Sequence, residues 1–171
     1  MRTRPANTND IPVLVELRKK LLLEEGLPPD ADIDAPLALG EYFTAAMADG
    51  SLAAWVAEEE GEVAATGAVC FFTLPPTFSN PAGRVAYITN MYTRKEYRRK
   101  GIATGILDIA IAEAKARGCG RIQLHASEDG KSIYRRAGFV DYDSYMVLMN
   151  MEREDFPWPK RKKRSCLSRP K

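Results

Sequence analysis

Along the first third of the chain, apolar residues recur at helical spacing. Ile11, Leu14, Val15, Leu17, Leu21 and Leu22 form one stripe; Gly26 closes it, and Pro28-Pro29 forbids continuation. Asp10 is placed to cap this helix, with Pro12 tolerated in the first turn. A second helix is predicted from about Pro36 to Ala48, ended by Asp49-Gly50. The period then changes. Residues 52–57 and 63–74 are strand-like runs joined by a turn, Glu59-Glu60-Gly61-Glu62, and so read as an antiparallel hairpin. Residues 75–83, rich in proline, form a stiff loop before a strand at 85–93. Helical spacing returns at 101–117, where Ile102, Ile106, Leu107, Ile109, Ala110 and Ile111 cover more than one face, as in a buried helix. A strand at 121–126, a short helix at 128–137 stopped by Gly138, and a strand at 145–151 complete the pattern. Residues 1–4 fit a further short strand.

Residues 85–126 therefore read strand, helix, strand, a unit whose two strands are parallel neighbours. The earlier strands pair antiparallel. The predicted class is α/β with a mixed (α+β) sheet and helices on both faces. A chain of 171 residues suits one core. The expected division is a domain over 1–155 and a basic tail over 156–171, beginning at Phe156-Pro157-Trp158-Pro159.

Composition narrows the class further. With 45% hydrophobic and 28% charged residues, the chain has enough apolar side chain to fold. It contains no apolar run long enough to span a membrane, and its start lacks the apolar core of a signal peptide. Three scattered cysteines (Cys70, Cys119, Cys166) argue against a disulfide framework and for a reducing, cytoplasmic setting. A single histidine and no Cys-x-x-Cys argue against structural zinc. The net charge of +2 conceals an asymmetry, because residues 160–171 hold seven bases and no acid. Taking those seven from the 25 Lys and Arg leaves 18 against 23 Asp and Glu, a net charge of −5. The body is mildly acidic, and contact with nucleic acid or an anionic surface is expected only through the tail.

The stretch that carries chemistry is Tyr97-Arg98-Arg99-Lys100-Gly101-Ile102-Ala103-Thr104-Gly105, between a strand and a helix. The first N–H groups of a helix lack internal partners, and the positive end of its dipole lies there. Gly101 and Ala103 leave space for a ligand to approach the main chain, and Arg98, Arg99 and Lys100 add positive charge. A pyrophosphate fits such a site. The loop is not a Walker A loop, which needs Gly-x-x-x-x-Gly-Lys-Ser/Thr. It is not a dinucleotide fingerprint either, because position 103 is Ala and no third glycine is in register.

The pattern present, Arg98-x-x-Gly101-x-Ala103, resembles the acetyl-CoA-binding motif of the GCN5-related N-acetyltransferases. Upstream, Tyr87-Ile88-Thr89-Asn90-Met91-Tyr92-Thr93 resembles that family's central strand. Downstream, Tyr134-Arg135-Arg136-Ala137-Gly138-Phe139 resembles its Tyr-x-x-x-Gly-Phe signature. The resemblance implies that strands 85–93 and 121–126 splay apart at their C-terminal ends, with a β-bulge near Asn90 to Tyr92. It further implies that acetyl-CoA enters the gap as cosubstrate. Main-chain groups of Met91 and Thr93 would meet the pantetheine and the acetyl carbonyl, with Tyr92 between them also counted to the cofactor site. Arg98, Arg99, Lys100, Gly101, Ile102, Ala103 and Thr104 would surround the pyrophosphate. Tyr134 matches the family position that protonates the departing thiolate, and a phenol stays protonated at neutral pH.

The chain departs from the family pattern at Ser127 and Gly130, where Asn and Ala are usual. Ser127 can still hydrogen-bond the pantetheine with a shorter reach. The general base is not legible: Asn90 cannot serve, and His125, Tyr92 or water ordered by Glu24 or Glu25 stay open. The acceptor side is expected in the first half, with Glu24, Glu25, Asp30, Asp32, Asp34 and Glu41 as an acidic mouth and loop 75–83 as a second wall. The implied activity is acetyl transfer from acetyl-CoA to a primary amine of a small, possibly cationic molecule, in a protein that can form a homodimer. The alternatives are a non-catalytic acyl-CoA-binding or regulatory module, and a protein or peptide N-acetyltransferase.

Overall fold

Four antiparallel strands followed by one parallel strand form a sheet in the order β1-β2-β3-β4-β5: Arg2–Pro5, Leu52–Glu59, Glu62–Thr73, Arg84–Thr93 and Arg121–Leu124. The structure is a computed structural model and describes residues 1–26 and 35–142. Its helices are α1 (Ile11–Glu24), α2 (Ala35–Ala48), α3 (Ile102–Ala116) and α4 (Lys131–Arg136). Among the described strands the sense changes once, β4 parallel to β5, where α3 supplies the crossover. Among the described residues no helix is long and apolar enough to cross a membrane.

Two apolar layers sandwich the sheet. Leu14 of α1 and Phe43 and Ala46 of α2 pack on Leu52, Ala54, Val56 and Ala68. On the opposite face, Ile102, Ile106, Leu107, Ala110 and Ala114 of α3 pack on Trp55, Ala57, Ala65, Val69, Ala86 and Ile88. Alternate residues of one strand thus serve different layers, as a period of two requires. Ile133, Tyr134 and Phe139 join the α3 layer. The mixed sheet with helices on both faces agrees with the sequence reading.

Several local expectations are corrected. Asp10 does not cap α1 with its side chain; it ends a 3-10 turn, Thr8–Asp10, and its carboxylate accepts from the Asn7 N–H at 2.7 Å in a capping box. That carboxylate is also gripped by Arg4 at 2.7 and 2.8 Å, so its capacity is spent on β1. β5 stops at Leu124 rather than at 126, and α4 spans only Lys131–Arg136, because Ser127 organises the turn before it. Loop 75–83 precedes β4, at the end where β4 and β5 are zipped together, so it cannot wall the opposite end. The compact unit runs Met1–Asp141. The expected strand at 145–151, the boundary at 155 and the basic tail lie outside the described residues.

Candidate active site

The site begins with an interruption in strand pairing. Val85, Ala86, Tyr87 and Ile88 pair with Arg121, Ile122, Gln123 and Leu124, and there the β4–β5 ladder ends. β4 continues to Thr93 with β3 alone beside it among the described residues. β5 ends with the ladder, so among the described residues the β5-side edge of β4 has no strand beside it beyond Ile88; this open end of the pair is the fork. In the β3–β4 ladder, Ala68 pairs with Thr89 and Thr66 with Tyr92, so Asn90 and Met91 together oppose Gly67. This bulge lies where the sequence placed it. Asn90 takes the left-handed conformation, φ +54°. Gly67 is required on the other strand: a Cβ there would lie 2.5 Å from both Ile106 Cγ2 and Met91 Sδ.

Past Thr93, a 3-10 turn, Lys95–Tyr97, leads into the basic loop. Arg99 (φ +62°) and Gly101 (φ +79°) are both left-handed, and they turn the chain sharply into α3. The first amide to close the helix is that of Gly105, which donates to the Gly101 carbonyl at 3.1 Å. The amides of residues 99–104 have no partner among the described residues, and Gly101 offers no side-chain cap. A row of unpaired N–H groups at the positive end of a 15-residue helix attracts an anion. Arg99 and Lys100 are exposed beside it. Ile102 turns its side chain into the core, leaving only its amide to the loop. Ala103 is half-buried and Thr104 exposed.

Arg98 points elsewhere. Its Nε donates to the Thr93 carbonyl at 2.9 Å and its Nη2 to Glu24 Oε2 at 2.7 Å, with the guanidinium 5.4 Å from the centre of the Tyr92 ring. Its side chain braces the loop, and its contribution there is structural support plus charge. Tyr92 is buried and donates to Glu24 Oε1 at 2.9 Å. Burial disfavours the charged form of Glu24, but the Arg98 and Tyr92 hydrogen bonds outweigh it and hold the carboxyl below its usual range. Burial first, and Glu24 second, push the Tyr92 phenol up. Sequence reasoning missed this junction because its partners lie 68 and 74 residues apart and no local spacing signals them.

On the β5 side, His125 is exposed one residue past the strand. The Ser127 carbonyl accepts from the Gly130 and Lys131 amides at 3.0 and 3.1 Å, and its hydroxyl accepts from Gly130 at 3.2 Å. The hydroxyl proton remains available to donate. A Cβ on Gly130 would lie 3.1 Å from Ser127 Oγ and 3.2 Å from Tyr134 Cε2, so the absent methyl lets those two side chains approach. Tyr134 is half-buried, set edge-on to Phe139 with ring centres 6.0 Å apart. Its hydroxyl has no partner among the described residues. Burial chiefly, and Glu25 to a lesser degree, raise its pKa above the ordinary phenol value.

A fork in a mixed sheet, a bulge facing it and an uncapped helix start beside it occur together here. The acetyltransferase (GNAT) family model matches residues 19–139. A structure described as a predicted acetyltransferase with acetyl-CoA, from Clostridium acetobutylicum, is 42% identical over 90% of this chain and 98% of that one, with a TM-score of 0.83. A GCN5-related N-acetyltransferase from Ralstonia eutropha JMP134 is 28% identical over 86% of this chain and 97% of that one, with a TM-score of 0.74. Glucosamine-6-phosphate N-acetyltransferase from Arabidopsis thaliana, at 20% identity over 88% and 98% of the two chains and a TM-score of 0.68, shares the fold. Comparison with curated proteins gives no match. The chain belongs to the acetyltransferase (GNAT) family.

Proposed function

We propose that this chain transfers acetyl from acetyl-CoA to a primary amine of a small molecule by direct attack. The observation that carries the reading is the set of unpartnered amides at residues 99–104, placed beside the open end of the β4–β5 pair. Those amides, with Arg99 and Lys100, would hold the diphosphate. The edge of β4 beyond Ile88, which pairs with no strand on that side among the described residues, would hold the pantetheine as an added strand at Met91, Tyr92 and the Thr93 amide, the Thr93 carbonyl being taken by Arg98, with Ser127 donating from the other side. The donor set is neutral amides plus fixed cations, which suits a diphosphate followed by an uncharged amide arm.

When bound, acetyl-CoA supplies a thioester carbonyl open to an amine and a thiolate that can leave. The chain supplies orientation, hydrogen bonds to the carbonyl oxygen as charge develops on it, and a proton for the departing sulfur. Tyr134 is the residue for that proton: its raised pKa keeps the phenol protonated, and its hydroxyl is not committed elsewhere among the described residues. The amine proton leaves through water.

The acidic mouth is narrower than its sequence count. Glu24 is engaged by Arg98, Tyr92 and Lys95, and Asp30, Asp32 and Asp34 lie outside the described residues. Glu25 and Glu41 are the exposed acids left to favour a cationic acceptor. A panel of primary amines, assayed for released CoA thiol, tests the function. Acceptor-dependent thiol release supports it. Acetyl-CoA binding with no turnover on any amine would favour a non-catalytic binding module.

A further inference from the structure

Asn90 is the least satisfied residue of the fork. It is 2% exposed, it holds φ at +54°, and neither its Oδ1 nor its Nδ2 has a hydrogen-bond partner. It lies in the bulge opposite Gly67, two positions past Ile88, the last β4 residue paired with β5. At the same break in register, Thr66 Oγ1 is also buried without a partner. Three of the five unpartnered buried side-chain atoms among the described residues therefore sit at this break. The left-handed backbone explains why asparagine is found here rather than leucine or valine. It does not explain asparagine rather than glycine, which would relieve the strain and bury no polar atom. A buried carboxamide with nothing to bond destabilises the free chain, and its place in the fork points to a partner acquired on binding.

We propose that the Asn90 carboxamide is a binding group for the acyl donor, bonding the amide and thioester end of the arm when that end fills the fork. The inference rests on the proposed function above. A carboxamide presents one acceptor and two donors without charge, which complements a secondary amide or a thioester carbonyl. An ionised side chain at the same depth would incur a heavy desolvation penalty. Both Asn90 polar atoms are covered in the free chain, so bonding the arm requires the carboxamide to turn toward the unpaired edge of β4. Filling the fork then satisfies atoms that were unsatisfied before, and this relief contributes to affinity.

Two variants of the full chain separate side chain from backbone. Asn90→Gly removes the carboxamide and keeps the left-handed geometry; Asn90→Asp keeps shape and backbone tolerance and removes the Nδ2 donors. Calorimetric titration with acetyl-CoA and thermal melting with and without it are the readouts. Asn90→Gly is expected to melt at or above the parent without ligand. It should bind acetyl-CoA about tenfold more weakly, with a smaller ligand-induced rise in Tm. Asn90→Asp is expected to bind at least as weakly as Asn90→Gly. A parent-like Kd in folded Asn90→Gly overturns the proposal and leaves Asn90 a backbone device. Should Asn90→Gly not fold, Asn90→Asp decides on the same criterion. A parent that does not bind acetyl-CoA overturns both this inference and the proposed function, whereas tight binding by parent and Asn90→Gly alike overturns this inference alone.

Discussion

The Tyr92 hydroxyl donates to Glu24 Oε1 at 2.9 Å, tying the last residue of α1 to the outer end of the central strand. The other Glu24 oxygen accepts from Arg98, the first residue of the basic loop, at 2.7 Å. One carboxylate thus fixes the end of α1, the fork and the loop beside it. Glu24→Gln keeps an acceptor for Tyr92 and removes the charge that holds Arg98. With Glu24 35% and Arg98 39% exposed, solvent screening limits the loss to about 0.5 kcal/mol, and to about 1 kcal/mol for Glu24→Ala. Urea denaturation of both variants checks this order. Equal stability of parent and Glu24→Ala would show that the junction is idle.

Tyr134→Phe would remove the proton we propose for the leaving thiolate and little else, since the phenol packs on Phe139 through its ring. Turnover should fall on the order of 10- to 10⁴-fold, with acetyl-CoA affinity nearly intact. The raised pKa sets the pH dependence: the acid form is retained up to and past the usual phenol value of about 10, so Tyr134 imposes no loss of activity between pH 7 and 9. Steady-state kinetics across that range test both points. Unchanged turnover in Tyr134→Phe removes the residue from the mechanism.

Asp10 links acid stability to the β1 anchor. The Arg4 hydrogen bonds, more than burial can oppose, hold its carboxyl below the usual range, and Arg4 also bonds Glu58. A lowered carboxyl pKa stabilises the fold above the unfolded value near 3.9, and the benefit is lost as pH falls through the folded value. Asp10→Asn should therefore cost about 1–3 kcal/mol at pH 7, with the gap to the parent closing below about pH 4. Denaturation at both pH values checks it; a gap independent of pH would mean that packing, not charge, accounts for the loss.

Gly67 is where α3 presses on the bulge. Gly67→Ala would place a Cβ 2.5 Å from Ile106 Cγ2 and Met91 Sδ, so the helix or the bulge must give way. The expected loss is about 1–3 kcal/mol by urea denaturation. A neutral substitution would show that the contact relaxes without cost.

Much of this architecture was legible in the sequence, for identifiable reasons. The helically spaced apolar residues from Ile102 to Ile111 and the glycines around them marked α3, although Ile109 proves exposed, and the strand–helix–strand order fixed the parallel pair. The uncapped helix start was legible because local chemistry carries it: the basic run and Gly101 precede a helix with nothing to cap it. The bulge was expected from the family resemblance of residues 87–93, not from local spacing. What escaped depends on distance in sequence. Arg98 looked like a ligand-facing cation, yet its guanidinium is taken by Glu24 and Thr93. Asp10 looked like a helix cap, yet Arg4 and Asn7 hold it. The orphaned state of Asn90 could not be read at all, since it depends on what the folded chain covers without bonding.

The amides of residues 99–104, unpartnered among the described residues, are proposed to hold the diphosphate of acetyl-CoA, and calorimetric titration of the parent and Gly101→Glu with acetyl-CoA measures this. A Cβ at Gly101 meets nothing within 4 Å, so the fold should survive with about 1–2 kcal/mol of backbone strain from φ +79°. The carboxylate would stand among the amides the anion needs. Binding by the parent and none measurable by the folded variant is expected; parent-like affinity in Gly101→Glu would contradict the assignment of these amides to the diphosphate.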